Sequence, residues 1–277
     1  MHKVLSSFGT RRRRCAITAL AAALPLCANA AQAQDVSFTD LQLTGTFGLG
    51  YSNGDYGTSR NTNVLLGLPT LSVETGNFRL SASMPYMRIS GRGLVIFDAA
   101  GNPIVVNRRT SLPPLTRTGW GDLNLSASYT IPAMDLDGFE VRLTGGAKVP
   151  TASTRRRLST GEADFSFSTD ISRQFGRWTP FLTIGYLVTG QPATFRLYNT
   201  TSVSAGASVE LTGSLVATAS YDYDSASTPL VDASHELFGS LSWVRDNGLT
   251  LTSYGTAGLS SGSPNIGAGL LVSYTFN

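Results

Sequence analysis

The chain has 277 residues, of which 14% are charged, with 21 Lys and Arg against 18 Asp and Glu. Five of the basic residues and no acidic ones fall in residues 1–33, so the remainder carries 16 against 18 and has no basic excess with which to hold a nucleic acid. Both cysteines, Cys15 and Cys27, lie in that same stretch, which excludes a disulfide framework or a thiolate site from the rest.

Lys3 and Arg11 to Arg14 precede an apolar run from Cys15 to Cys27 that is too short to span a bilayer. Small-x-small motifs follow, Ala28 to Ala30 and Ala31 to Ala33. The pattern predicts a secretory signal peptide over 1–33, cut after Ala33 or after Ala30, and one domain over 34–277. The arginine run also fits the twin-arginine route, but that route carries folded cargo, and the remainder reads as a barrel that travels unfolded.

Beyond the leader no window holds 18 continuous apolar residues, so helical spans are excluded. Alternation with a period of two fills the chain instead. The first run covers 41–51, with Leu41, Leu43, Phe47, Leu49 and Tyr51 on one face. The second, 63–75, is irregular and predicts a bulge at Pro69. Then come 78–86, 123–131, 139–149, 163–171, 182–188, 203–211, 215–223, 237–243, 249–259 and 266–276. Most of these twelve runs have roughly 9–13 residues, which suits tilted strands that cross a bilayer.

The connections sort by length. Gly76-Asn77, Gly176-Arg177, Thr212-Gly213 and Arg245 to Gly248 read as tight hairpin turns, and 132–138 as a seven-residue turn. The others are longer: 52–62, 91–119, 151–160, 190–199, 224–232 and 260–265. Short periplasmic turns alternating with longer external loops predict an all-β, closed antiparallel transmembrane barrel of about twelve strands, its last run paired with its first. The rival, a secreted β-sandwich, would not sort its loops by length and would carry more charge on its outward face. Aromatics near the run ends (Tyr51, Phe78, Tyr86, Phe139, Tyr223, Trp243 and Phe276) suit interfacial girdles.

With the long loops outside, an external basic crown is expected from Arg60, Arg88, Arg92, Arg108, Arg109, Arg117, Arg155, Arg156, Arg157 and Arg196. Guanidinium forks match phosphate and carboxylate, so the crown either pairs with lipopolysaccharide or concentrates anions at a pore mouth. The phases of the runs point Glu74, Asp122, Glu140, Glu162, Asp164, Asp170, Glu210, Asp222 and Glu236 into the lumen, opposed by Arg79, Arg142 and Lys148. These groups form either a network of structural pairs or a selectivity lining. The longest loop, 91–119, is the expected plug or constriction.

Nothing in the sequence argues for an enzyme. His235 is the one histidine after the leader, and its neighbours Ser234 and Glu236 point to the opposite face of a strand. Glu162 and Asp164 share a face at a spacing that acid–base chemistry can use, but polar lumen walls show the same spacing. No His/Cys metal cluster and no cofactor motif is present in the sequence.

Three segments carry a family likeness: Gly119 to Ile131 with its Gly-x-Gly-Asp-Leu start; Gly145 to Gly190 with Pro-Thr, Gly-x-x-Asp and Gly-Tyr; and Tyr254 to Phe276 with Gly-Leu-Ser-x-Gly-Ser-Pro. Together they resemble the outer-membrane transporter family associated with meta-pathway phenol degradation. The resemblance implies a small barrel that passes aromatic or other small compounds across the outer membrane. The expected partners are outer-membrane lipid and lipopolysaccharide, small-molecule solutes and, during biogenesis, the barrel-assembly machinery.

Overall fold

The computed structural model describes residues 41–56, 60–91, 94–97, 103–107, 115–133, 135–136 and 138–276; the expected signal peptide lies outside them. The strands are β1 (Gln42–Gly54), β2 (Thr62–Thr75), β3 (Phe78–Ser83), β4 (Tyr86–Gly91), β5 (Leu94–Phe97), β6 (Pro103–Asn107), β7 (Leu115–Trp120) and β8 (Leu123–Ile131). They continue with β9 (Phe139–Val149), β10 (Asp164–Arg173), β11 (Trp178–Val188), β12 (Thr200–Thr212), β13 (Leu215–Asp224), β14 (Ser234–Val244), β15 (Leu249–Gly258) and β16 (Ile266–Phe276).

Each strand from β8 onward pairs antiparallel with the next, and β16 returns to β1 from Leu43↔Phe276 to Asn53↔Ile266. β1 pairs on its other side with β2, so the sheet closes. Two staves are interrupted: β3 and β4 make one, broken at Met84-Pro85, and β7 and β8 make another, broken at Gly121-Asp122. The closed wall therefore has twelve staves, as the alternation predicts.

The irregularity expected at Pro69 is not a bulge. β2 runs unbroken, with Pro69 opposite Phe47 and one register toward both β3 and β4. Prolines lack the N–H that a ladder needs. Pro69 and Pro85 fall on adjacent rungs of neighbouring staves, so the ladder lapses there without an added residue. The added residue sits one stave further on. Between Ser83↔Asn124 and Tyr86↔Trp120, two residues face three. This bulge changes the phase of the stave: Trp120 is half exposed on the outside, yet Gly121 and Asp122 are both buried inside. The backbone N–H of Gly121 donates to the Pro85 carbonyl at 2.7 Å.

Two connections also differ from expectation. All described residues of 91–119 lie in strands, because β4 pairs with β7 from Tyr86↔Trp120 to Gly91↔Leu115 and β5 pairs with β6 as a separate hairpin. The β12–β13 turn is Gly213-Ser214, since a register shift between Glu210 and Thr212 moves the tip one residue on. The Gly76-Asn77 and Gly176-Arg177 turns form as expected. Their glycines adopt φ of +55° and +62°, the conformation that a two-residue hairpin asks of its first central residue.

The outer face is apolar around the wall, with Leu49, Leu80, Leu143, Ile184, Leu237 and Leu270 all exposed. Aromatic pairs mark its two rims. Phe78 packs on Tyr129 (4.8 Å between centroids) and Tyr274 on Phe276 (4.9 Å) at the short-turn end; Tyr86 meets Trp120 edge-on (5.2 Å) toward the loop end. Arg173 lies over Phe139, and Arg245 over Trp243, beside the short turns. In water these exposed side chains would be a liability; against lipid they are the stabilising surface. Leu270→Arg, in the middle of β16, is expected to lower the unfolding free energy in lipid vesicles by about 2–4 kcal/mol. Urea titration followed by tryptophan fluorescence checks this, and an unchanged midpoint would mean that Leu270 does not face lipid.

Candidate functional site

The inner face is built from the other half of each alternation, and most of it is Ser, Thr and Gly. Hydroxyls pair across neighbouring staves toward the short-turn end: Thr44 with Thr275 (3.0 Å), Thr46 with Ser273 (2.9 Å), Ser208 with Thr218 (2.9 Å) and Ser242 with Thr252 (2.9 Å). Such pairs satisfy the wall without charge. They leave a polar interior instead of a packed apolar core.

Lys148 anchors the loop end of β8, β9 and β10. It is 2% exposed, with its Nζ 2.6 Å from Asp164 Oδ2 and 3.5 Å from Asp122 Oδ2. Asp164 lies across the ladder from Lys148 by register, whereas Asp122 reaches it because the bulge turned the side chain inward. Both carboxylates also take hydrogen bonds: Asp164 accepts from the backbone N–H of Gly190 (2.9 Å), and Asp122 from that of Ala152 (2.9 Å) and from the Ser159 hydroxyl (2.5 Å). A buried charge is stable only when paired and hydrogen-bonded in this way.

A second cluster lies near the short turns. Arg79 is bound to Glu74 across β2–β3; Arg142 Nη2 lies 3.6 Å from Glu140 and its Nε donates to Thr130 (2.9 Å); Asp170 accepts from Thr183 (2.7 Å). The far wall carries Asp222, bound by Ser204 and Ser220, and Glu236, which accepts from Ser234 at 3.2 Å. Phe238 stacks on Tyr254 on that wall (6.0 Å, 23°), and the Phe181 ring lies over Gly206, whose absent Cβ would stand 2.6 Å from it. Between the two charged clusters is a cavity of about 140 Å³ lined by Ser81, Ser83, Asn124, Ser126, Gly146 and Ser166.

The structure thus brings Arg79, Asp122, Glu140, Arg142, Lys148, Asp164, Asp170 and Asp222 to the inner wall. Glu162 belongs instead to the loop before β10, and Glu210 is exposed at the short-turn rim. Arg117 departs from the expected crown: it lies in β7, is 7% exposed, and its Nη1 donates to the Arg157 carbonyl at 2.7 Å. Arg155, Arg156 and Arg157 are exposed on a short 3-10 turn, and Arg108 and Arg109 fall outside the described residues. His235 packs on the outer face against Tyr223 and bonds the Tyr221 hydroxyl at 2.5 Å, while Ser234 and Glu236 bond each other. Among the described residues no group of three or more His, Cys, Asp or Glu could hold a metal ion.

Loops cross the mouth at two places. Leu158, from the loop between β9 and β10, is buried against Val64, Met87 and Ile89 on the inner face of β2 and β4. Tyr56, beyond β1, is buried against Val231 and Leu230 from the loop before β14. Burial pushes its hydroxyl up to about 12, so it stays neutral. Leu158 is the sole large apolar side chain in a polar loop spanning 150–163, a signal of burial that does not name its partners.

No family model matches the sequence, and no curated protein matches it. Among solved structures the chain is similar to an outer-membrane channel from Pseudomonas putida F1, 12% identical with a TM-score of 0.67, over 89% of this chain and 100% of that one. It is also similar to the translocator domain of the autotransporter NalP from Neisseria meningitidis (14%, 0.53, over 87% and 90%) and to the NanC porin (11%, 0.51, over 84% and 99%). At these identities the likeness is one of fold, and the fold is that of bacterial outer-membrane barrels.

Lys148→Met would leave Asp122 and Asp164 buried without their cation. It is expected to cost about 3–5 kcal/mol of unfolding free energy, measured by urea titration of the refolded barrel. A loss below about 1 kcal/mol would mean that the cluster is solvated and holds nothing.

Proposed function

We propose that the protein is a passive outer-membrane channel for small solutes. The observation that carries this reading is the inner wall: a closed barrel of twelve staves lined by hydroxyls, glycines and paired charges, where a purely structural barrel of this size could pack apolar side chains. The structural similarity to an outer-membrane channel across that protein's whole length supports it.

Aromatic and anionic compounds are the favoured class. The cavity of about 140 Å³ matches the scale of an engineered cavity of ~150 Å³ that admits benzene. Phe181, Phe238 and Tyr254 face inward on the opposite wall, and Arg155 to Arg157 stand exposed at the mouth, where guanidinium groups attract carboxylates. The same arginines suit lipopolysaccharide phosphates as a second partner. A closed structural or surface-interaction barrel is the alternative, favoured by the two apolar contacts that cross the mouth.

Liposome swelling in benzoate and in sugars of similar size tests the class. Benzoate is expected to enter several times faster, and replacing Arg155 to Arg157 by Ser is expected to remove most of that advantage. Equal rates for both solutes, unchanged by the triple substitution, would contradict the anionic preference.

A further inference from the structure

Loop 150–163 is fastened by single side-chain contacts and not by a backbone ladder. Leu158 is seated against Val64, Met87 and Ile89; Asp122 accepts from Ala152 and Ser159; Arg117 holds the Arg157 carbonyl; and Lys148 donates to the Thr160 hydroxyl at 3.3 Å. Thr151 and Thr154 to Arg157 are exposed, with two further bonds at the rim: the Leu123 backbone N–H donates to Thr151 Oγ1 at 3.0 Å and Arg156 Nη1 to the Thr118 carbonyl at 3.4 Å. The adjoining staves are held quite differently, with β9 and β10 paired at ten positions. Segments with few buried contacts open at the low end of a protein's stability range.

Two features favour opening without unfolding. Arg157 closes the 3-10 turn at φ 55°, a left-handed conformation that costs a non-glycine residue, so the seated loop carries local strain. When the loop lifts, Asp122 loses its bonds to Ala152 and Ser159 but keeps Lys148, which also keeps Asp164, so that cluster stays paired, while Arg117 gives up the Arg157 carbonyl. The loop lies directly over the lumen cavity. Asp122 and Lys148 stand one inward position above Asn124 and Gly146, which line it.

We propose that loop 150–163 is a movable roof that gates the lumen, with Leu158 as its seat and the Asp122 carboxylate as its latch; the gating rests on the channel reading above. The roof then sets which solutes reach the cavity. Opening exposes Leu158 and hydrates the outer side of Asp122 while the wall stays paired.

Residues 34–277 contain no cysteine, so a single introduced thiol reports on the roof. In the refolded barrel, Leu158→Cys is expected to react with a bulky thiol reagent at least tenfold more slowly than Thr154→Cys. Asp122→Asn added to Leu158→Cys should speed that reaction at least tenfold, and Ser159→Ala by a few fold. Ala152→Cys, beside the same apolar seat, serves if Leu158→Cys does not refold; heat-modifiable migration reports folding. Labelled protein cannot reseat its roof and should conduct more than unlabelled protein. Equal reaction rates at positions 158 and 154, no response to either latch variant, or a measurable conductance that is the same before and after labelling would overturn the proposal. Faster labelling with no current in any form would sink the channel reading and leave the movable roof standing.

Discussion

Inside a bilayer no water is present to satisfy a backbone N–H or C=O, so every peptide group in the span needs a partner within the protein. The pairing of β16 with β1 supplies the last of these, over eleven consecutive positions. Without it both strands would be open edges in hydrocarbon, and no arrangement of side chains would offset the loss. Closure also fixes sidedness. Once the ladder is circular, the period of two assigns each residue either to lipid or to lumen, and a slip of one residue would turn the hydroxyl wall outward.

That assignment explains where the charge sits. Lys148, Arg142 and Arg79 each meet a carboxylate on their own or a neighbouring stave, so the wall between them can remain narrow, polar and hydrated. The exception to strict alternation is the most informative position. At Gly121-Asp122 one extra residue shifts the phase, which points Asp122 inward without turning Trp120 or Leu123 from the outer face. Asp122 then joins three things: the Lys148 cluster, the wall of β8 and the loop over the mouth. A local backbone irregularity thus couples the lumen to its roof.

The closed architecture was legible in the sequence because its two signals, alternation and loop length, are local and repeated. Lumen residues such as Lys148 and Asp164 could be placed from phase alone. What stayed hidden depends on register between staves or on contacts distant in sequence. Pro69 reads as a bulge when seen alone; only its neighbour Pro85, on the adjacent stave, shows why the ladder lapses there without one. Arg117 looks like an exposed loop arginine until β7 is seen to extend the wall and bury it beside Arg157. The roof is assigned by Leu158 touching Val64, Met87 and Ile89, residues separated from it by some seventy to ninety positions, and no window of sequence carries that contact.

The central claim is that this polar interior is a continuous path for solutes. Single-channel recording of the refolded protein in a planar bilayer tests it most directly. Discrete conductance steps separated by closures, as a roof that is mostly seated would give, are the predicted result. A correctly folded barrel that never conducts, even with loop 150–163 removed, would contradict the claim and make the molecule a structural barrel of the outer membrane.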